Sequence, residues 1–234
     1  MIVPLSAGAL TAGAGVLAHA VRGRSSQFFG PSVWRGNARR PAIALTFDDG
    51  PSESTPALLE TLREYGASAT LFQCGANVRR LGEIAKAAHA AGHEIGNHSD
   101  SHLMTCFRSA AAIEGDFRRA QSTFEETVGA APSLVRPPFG VRWFGYRAMQ
   151  QKLGLMNVMW TVIGLDWKLP APAVCNRVLR EVRNGTIICL HDGRERTVRP
   201  DVGNTLEAVK RIIPALLEQG YSFETVSQIA WPRT

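Results

Sequence analysis

The sequence lacks the patterns that mark common metal-binding and nucleic-acid-binding modules. Its four cysteines form no Cys-x-x-Cys pair and no zinc-finger spacing, which argues against a closed structural zinc site. The net charge is only +6, and no basic stripe is interleaved with aromatic residues, so we expect no nucleic-acid partner. The His-Glu-x-x-His motif of zinc proteases and internal repeats are also absent. With 45% hydrophobic and 20% charged residues, an ordinary globular domain remains.

The N-terminal segment also lacks charge, because residues 1–20 contain no Asp, Glu, Lys or Arg. It ends in an Ala-His-Ala run at 18–20, which fits the small-x-small pattern of a signal-peptidase site. We therefore predict a signal peptide or membrane anchor at 1–21 and an extracytoplasmic protein, secreted or held at the membrane. The nearby arginines, however, all follow the apolar stretch, against the usual charge bias of export signals. A disordered or packed extension of a cytoplasmic protein is the alternative.

From residue 41 onward, short apolar runs alternate with segments of helical periodicity, several of which end at a glycine. This alternation predicts about seven parallel strands, one of them continuous over 156–163, each followed by a helix. Polar residues suited to catalysis follow five of these strands. The ends of all strands converge at one rim when the sheet curls, so the pattern favours a barrel over an open sheet. We assign 22–40 to a linker and 41–230 to a catalytic domain.

Two motifs supply candidate metal ligands. A Thr-Phe-Asp-Asp-Gly run places Asp48 and Asp49 at the end of a predicted strand, and His98 and His102 follow some fifty residues later. Two imidazoles and one carboxylate leave coordination positions open for water and substrate. We predict that Asp49, His98 and His102 bind a catalytic metal, with Asp48 as the general base. The histidine spacing predicts one helical turn, with both rings on one face. An Asp-Gly turn and a chance histidine pair are the alternatives.

Three further motifs complete a hydrolytic site. An Arg-Pro-Pro-Phe-Gly run begins with Arg136, which could orient the base through charge-assisted hydrogen bonds. The backbone N–H of Phe139 could stabilise a developing oxyanion, although a proline-rich connector is the alternative for this run. His191 is a candidate general acid. Asp166 would fix the His191 tautomer and raise its pKa, and Trp167 would form an apolar wall.

Together, the five motifs resemble those of the polysaccharide deacetylases (the NodB-homology domain, carbohydrate esterase family four) over residues 41–225. The resemblance implies a distorted, incomplete (β/α) barrel that removes N-acetyl groups from N-acetylglucosamine units of a chitin-like or peptidoglycan-like polysaccharide or oligosaccharide and releases acetate. It implies a divalent metal ion, with zinc expected and cobalt, nickel or manganese as alternatives. It assigns Phe139, Trp167 and Leu190 to substrate binding.

Two positions depart from the family pattern, and two other functions are conceivable. Ile163 stands where many relatives carry an aspartate, and Cys189 where leucine is common. A deformylase or cyclic-amide hydrolase of the same superfamily, acting on a small or lipid-linked anionic substrate, is one alternative. The arginine-rich loop after His191 would suit such an anion, although a solvated basic loop is the favoured interpretation of these arginines. A noncatalytic carbohydrate-binding module is the other alternative, and it predicts that reactive groups are lost, yet none is missing.

Overall fold

The computed structural model describes residues 7–231, and helices and strands alternate along them. The strands are β1 (Ser32–Val33), β2 (Ala42–Gly50), β3 (Ala69–Gln73), β4 (Glu94–Asn97), β5 (Leu134–Val135), β6 (Met156–Val158), β7 (Val162–Ile163), β8 (Ile187–His191) and β9 (Ser222–Phe223). The helices are α1 (Ala7–Arg22), α2 (Thr55–Glu64), α3 (Gly75–Arg80), α4 (Gly82–Ala90), α5 (Ala110–Val128), α6 (Tyr146–Leu153), α7 (Ala171–Glu181), α8 (Gly203–Glu218) and α9 (Val226–Ala230).

All strand pairings in the described part of the chain are parallel. The order across the sheet is β1-β6-β5-β4-β3-β2-β8-β7, and β9 adds to the beginning of β2. Among the described residues the sheet therefore has nine strands, two more than the sequence predicts. One addition is the short strand β1 at one edge, and the other arises because the predicted strand over 156–163 is divided into β6 and β7.

The sheet is curled, and the link between β6 and β7 demonstrates it. These strands are six positions apart in the sheet, about 29 Å if the sheet were flat. The four residue steps from Val158 to Val162 can span at most about 14 Å. Thr161 lies in the gap, with its N–H bonded to the Ile187 carbonyl and its hydroxyl to the Trp34 carbonyl. The gap between β6 and β7 is thus bridged by a loop and not by a strand, so the barrel is incomplete, as predicted.

The same link corrects one predicted strand. The continuous strand expected over 156–163 is two strands, β6 next to the edge strand β1 and β7 at the opposite edge, because three intervening residues cross the open side of the barrel. The predicted helix over 78–91 is likewise two helices, α3 and α4, separated at Leu81.

The segment before residue 41 is part of the folded domain. β1 lies within the predicted linker and pairs with β6. The fully buried Arg142 donates through Nη1 to the Ser26 carbonyl at 2.8 Å and through Nη2 to the Gly23 carbonyl at 2.6 Å. These bonds hold the chain after α1 against the barrel, so residues 22–40 are not a free linker.

The predicted export or anchor segment lies only in part within the described residues. Its residues 1–6 fall outside them, and the rest belongs to α1. Among residues 7–231, no helix combines the length and the apolar character that crossing a bilayer requires.

Strand alternation separates the apolar core from the barrel interior. Phe47 and Leu190, paired on β2 and β8, belong to the main apolar cluster beneath the surrounding helices. Their neighbours Thr46, Asp48 and Cys189 point to the other face, because successive side chains of a strand alternate. The inward face is therefore mixed: it carries the polar side chains of the site together with a smaller apolar cluster that includes Ala44, Phe72 and Ile187.

Candidate active site

Asp49, His98 and His102 meet at the rim where β2 and β4 end. The Nε2 atoms of His98 and His102 lie 3.3 Å and 3.0 Å from the same oxygen of Asp49, Oδ1. All three side chains are buried, and their ligand atoms lie within 4.8 Å of one another. This donor set, two imidazole nitrogens and one carboxylate oxygen, suits a divalent metal ion with open coordination positions.

The neighbouring hydrogen bonds leave the right atoms available for a metal. Nδ1 of His98 lies 2.8 Å from the Arg136 carbonyl oxygen, which can only accept, so this nitrogen carries a hydrogen and Nε2, which faces Asp49, is the atom placed to bind a metal. The second oxygen of Asp49, Oδ2, accepts the backbone N–H of Glu195 at 3.0 Å. Oδ1 therefore faces the imidazoles. The residues fit a bound cation.

The Asp49 carboxylate is strongly favoured in its charged form. Burial by itself raises the pKa of Asp49, but hydrogen bonds and charges from His102 and His98 outweigh burial and hold the pKa well below its usual value. An acid that stays ionised in a buried site is a good ligand for a divalent cation.

The two histidines do not meet through a helical turn, contrary to the sequence prediction. No helix is assigned between β4 and α5, and Ser99 and His102 have positive φ angles of 65° and 55°. The Ser99 N–H is fixed by the Asn97 side chain at 2.8 Å, and the next residue, Asp100, pairs with Arg79. Two left-handed residues fold the loop back on itself, which helix spacing could not reveal.

Asp48 lies beside the metal ligands and is held at both oxygens. Arg136 Nη1 donates to Asp48 Oδ1 at 2.7 Å and also to the Thr46 hydroxyl. The Cys189 thiol donates to Asp48 Oδ2 at 3.5 Å. Arg136 is fully buried, its guanidinium is 4.1 Å from the centre of the Phe72 ring, and its other N–H groups reach backbone carbonyls. The carboxylate is therefore fixed in orientation beside the metal site.

His191 and Asp166 form the opposite side of the site. His191 Nδ1 lies 2.9 Å from Asp166 Oδ1, and Asp166 Oδ2 accepts both the His191 backbone N–H at 2.8 Å and the Thr205 hydroxyl at 2.6 Å. The Trp167 ring packs edge-on against His191 at 4.9 Å. The pair fixes the His191 tautomer and leaves Nε2 for the cavity that His191 lines.

The same pair sets the His191 charge. Burial alone lowers the pKa of His191, but the hydrogen bond and charge of Asp166, with the charges of Asp49 and Asp48, outweigh it and raise the pKa to about 9. For Asp166, burial raises the pKa, and the bond and charge of His191 more than offset that effect and lower it. At neutral pH the imidazole is protonated and able to donate.

A cavity of about 520 Å³ joins these groups. It is lined by Asp48, Asp49, His98, His102 and His191 together with Phe139, Gly140, Trp160, Ile163, Trp167 and Cys189, and at its mouth by Arg22, Arg194, Glu195 and Thr197. Phe139 has a φ of 60° and packs on His102 at 4.8 Å between ring centroids. Nine of the ten predicted site residues lie in this cavity or contact a residue that lines it.

Leu190 is the exception, and its predicted place in the substrate pocket is wrong. It is fully buried in the core outside the barrel, whereas its neighbour Cys189 lines the cavity. The strand alternation fixes this choice, since only one of two consecutive side chains can face inward. Trp160 and Arg22 also line the cavity and were not predicted, since neither belongs to a recognisable motif.

These features define a hydrolytic site at the rim of an incomplete barrel, and comparison with known proteins identifies the family. A family model described as polysaccharide deacetylase matches residues 35–158, more than half of the chain. The chain belongs to the polysaccharide deacetylase family, as its motifs indicate. A peptidoglycan-N-acetylglucosamine deacetylase of Bacillus cereus is 35% identical over 84% of this chain and 92% of its own length. A chitooligosaccharide deacetylase of Azorhizobium caulinodans is 34% identical over 78% of this chain and 91% of its own length.

Solved structures agree with this assignment. The crystal structure of a peptidoglycan N-acetylglucosamine deacetylase bound to an N-oxidanyl-benzamide compound superposes with a TM-score of 0.80 at 29% identity, covering 85% of this chain and 92% of that one. A CE4 family pseudoenzyme from Bacillus anthracis superposes with a TM-score of 0.76 at 26% identity, and the match covers 85% of this chain and 68% of that one. Because a pseudoenzyme shares the fold, the residues of the site and not the fold decide whether such a protein is catalytic.

Proposed function

We propose that this protein is a metal-dependent deacetylase that hydrolyses the N-acetyl group of N-acetylglucosamine units in a polysaccharide or oligosaccharide and releases acetate. One observation carries the proposal: a single cavity holds an Asp-His-His cluster with a carboxylate beside it and, opposite, an imidazole bonded to Asp166. Relatives named as peptidoglycan and chitooligosaccharide deacetylases support the choice of substrate class.

Asp48 is the general base in this proposal. Arg136 and Cys189 hold its two oxygens, so the carboxylate is oriented before substrate arrives. It removes a proton from the water that attacks the acetamide carbonyl. The C–N bond then breaks, and acetate leaves as the carbonyl fragment.

His191 is the general acid. Its raised pKa keeps Nε2 protonated, and this proton passes to the departing sugar amine, which would otherwise be a poor leaving group. Asp166 holds the ring and stabilises its positive charge. Trp167 and Phe139, both partly exposed in the cavity wall, would contact the acetamide, and the Phe139 N–H is the proposed backbone donor to the oxyanion.

Asp49, His98 and His102 would hold the metal ion. Zinc is the proposed ion, since it favours sets of imidazole and carboxylate ligands, while cobalt, nickel and manganese are the alternatives. When bound, the ion would polarise the amide carbonyl and lower the pKa of the nucleophilic water.

Acetate release tests the proposal directly. Chitotetraose and purified peptidoglycan are incubated with zinc-loaded protein, with and without chelator, and with Asp48→Asn as the matched inactive variant. Chelator-sensitive acetate release that Asp48→Asn lacks is the expected result. Absence of acetate from every substrate with metal bound would favour the noncatalytic alternative. Release of formate, or opening of a cyclic amide, would favour the other hydrolase.

We also propose an extracytoplasmic location, with membrane association through the N-terminal segment before any cleavage. The uncharged stretch and the Ala-His-Ala run support it, and so does a cell-wall type of substrate. Fractionation of cells that express the full chain, with N-terminal sequencing of the recovered protein, tests it. Recovery of the intact chain from the cytosol alone would contradict it.

A further inference from the structure

Two guanidinium groups at the cavity mouth have no part in the proposed chemistry. Arg22, the last residue of α1, and Arg194, in the loop after β8, both line the cavity. Neither has a carboxylate within 4.0 Å among residues 7–231. Some other surface arginines do form ion pairs, as Arg80 does with Glu53 and Arg211 with Glu207. Unpaired cations facing a binding cavity are available for an anionic ligand.

The fold positions the two arginines to different degrees. Arg194 donates through Nη1 to the Gly193 carbonyl at 2.8 Å and lies 3.5 Å from the Asp166 carbonyl through Nη2, so its guanidinium is held. Arg22 is exposed, and it ends a helix whose Val21 carbonyl accepts the backbone N–H of Arg142 at 3.0 Å. The fold therefore sets the place of the Arg194 guanidinium and of the Arg22 backbone.

The acidic groups of the cavity leave these two charges uncompensated. Asp48 is paired with Arg136, Asp166 with His191, and Asp49 faces two imidazoles at the proposed metal site. Glu195 is the remaining acid in the cavity wall, and it is exposed. The two arginines carry two positive charges and Glu195 carries one negative charge, so the cavity mouth has an excess positive charge. The net charge of the whole chain is also positive, at +6.

We propose that Arg22 and Arg194 form an anion subsite, which makes the protein prefer a saccharide with a carboxylate on the sugar next to the N-acetylated one over a neutral chain of equal length. This inference rests on the proposed function for its substrate, since it concerns a second group on the same sugar chain. Planar guanidinium groups recognise carboxylates through paired hydrogen bonds, and a phosphate ester would offer similar chemistry.

The test compares oligosaccharides that differ only in charge. The carboxylate probe is a tetrasaccharide of alternating N-acetylglucosamine and N-acetylmuramic acid, and its neutral match has the same carboxylates converted to methyl amides. Chitotetraose with and without a 6-phosphate forms a separate arm that distinguishes phosphate from carboxylate. Acetate release gives kcat/KM, and quenching of the cavity tryptophans gives Kd without any need for turnover.

The variants are Arg22→Gln and Arg194→Gln, with Arg196→Gln as the matched control from the same loop, outside the cavity lining. We expect the wild-type protein to prefer the carboxylate probe, and each of the first two variants to reduce the preference in both kcat/KM and Kd by roughly fivefold, the range of an exposed charge pair. Arg22→Lys should retain part of the preference for the carboxylate probe, and Arg196→Gln should retain all of it. Added salt should weaken the preference in the wild-type protein.

Two results would overturn the subsite: equal Kd values for the charged and amidated probes in wild-type protein, or equal losses in all three glutamine variants. A preference only for the 6-phosphate would overturn the assignment to a carboxylate. Absence of acetate from every probe would instead refute the proposed deacetylase activity, while the Kd comparison would still decide whether the subsite exists.

Discussion

Nη1 of Arg136 lies 2.7 Å from Oδ1 of Asp48, and both side chains are buried. Asp48 lies in β2 and Arg136 directly follows β5, two strands that are three positions apart in the sheet order, and 88 positions separate the two residues in the sequence. Burying a carboxylate without a partner is costly, and the Arg136 guanidinium supplies that partner to Asp48 inside the barrel.

Replacing Asp48 with asparagine should abolish most of the activity while leaving the metal site intact. Asparagine preserves the shape of the side chain and still accepts from Arg136, but it cannot take a proton from water. We expect kcat to fall by about 10²–10⁴-fold. Steady-state acetate release, with metal content measured by mass spectrometry, checks this. A metal-loaded Asp48→Asn protein with a nearly normal rate would show that another group is the base.

The rate should depend on pH through His191. The acid must be protonated, so activity should decline as pH rises through the His191 pKa of about 9. Asp166→Asn removes the negative charge that favours the protonated His191 ring, so the His191 pKa should fall. The alkaline limb of the pH–activity profile should then move to lower pH by at least about one unit. Thr205→Val, which removes only a hydrogen bond to Asp166, should move it less. An unchanged alkaline limb in Asp166→Asn would exclude His191 as the titrating acid.

Removing the metal should lower both activity and stability. A cation that binds only the folded state stabilises it, so chelation should lower the melting temperature as well as stop acetate release, and zinc should restore both. His102→Ala, which removes one of the three ligands, should reduce metal content and abolish the chelator effect on melting. His89→Ala, at an exposed position of α4, is the control and should bind metal normally. Full metal occupancy in His102→Ala would contradict the ligand assignment.

Cys189 and Leu190 should have opposite mutational effects, because they lie on opposite faces of β8. Leu190→Ala should reduce the free energy of unfolding by about 2–5 kcal/mol, as expected for a buried leucine, with KM unchanged. Cys189→Leu places a larger side chain in the cavity, so it should reduce the ratio of kcat/KM for N-propionyl over N-acetyl substrates by roughly tenfold. Chemical denaturation and a comparison of the two substrates measure these effects. A substrate effect confined to Leu190→Ala would reverse the assignment of the two faces.

Much of the site was predictable because its residues belong to short motifs at strand ends. The Asp48-Asp49 pair, the two histidines, Arg136, Asp166 and His191 all follow apolar runs, and parallel strands bring such positions to one rim. Glycine-terminated helices such as α5 and α6 were equally readable, since Gly129 and Gly154 adopt the left-handed conformation that ends a helix.

The amino-acid sequence by itself determined the reactive groups, their order along the chain and the family, because these depend on local residue identity and spacing. Only the tertiary structure decided that Cys189 and not Leu190 faces the cavity, that the chain from 156 to 163 crosses the open side of the barrel, and that Arg22 reaches the cavity mouth. Each of these depends on contacts between segments far apart in sequence, such as the bonds of Arg142 to Gly23 and Ser26, and no local pattern encodes them.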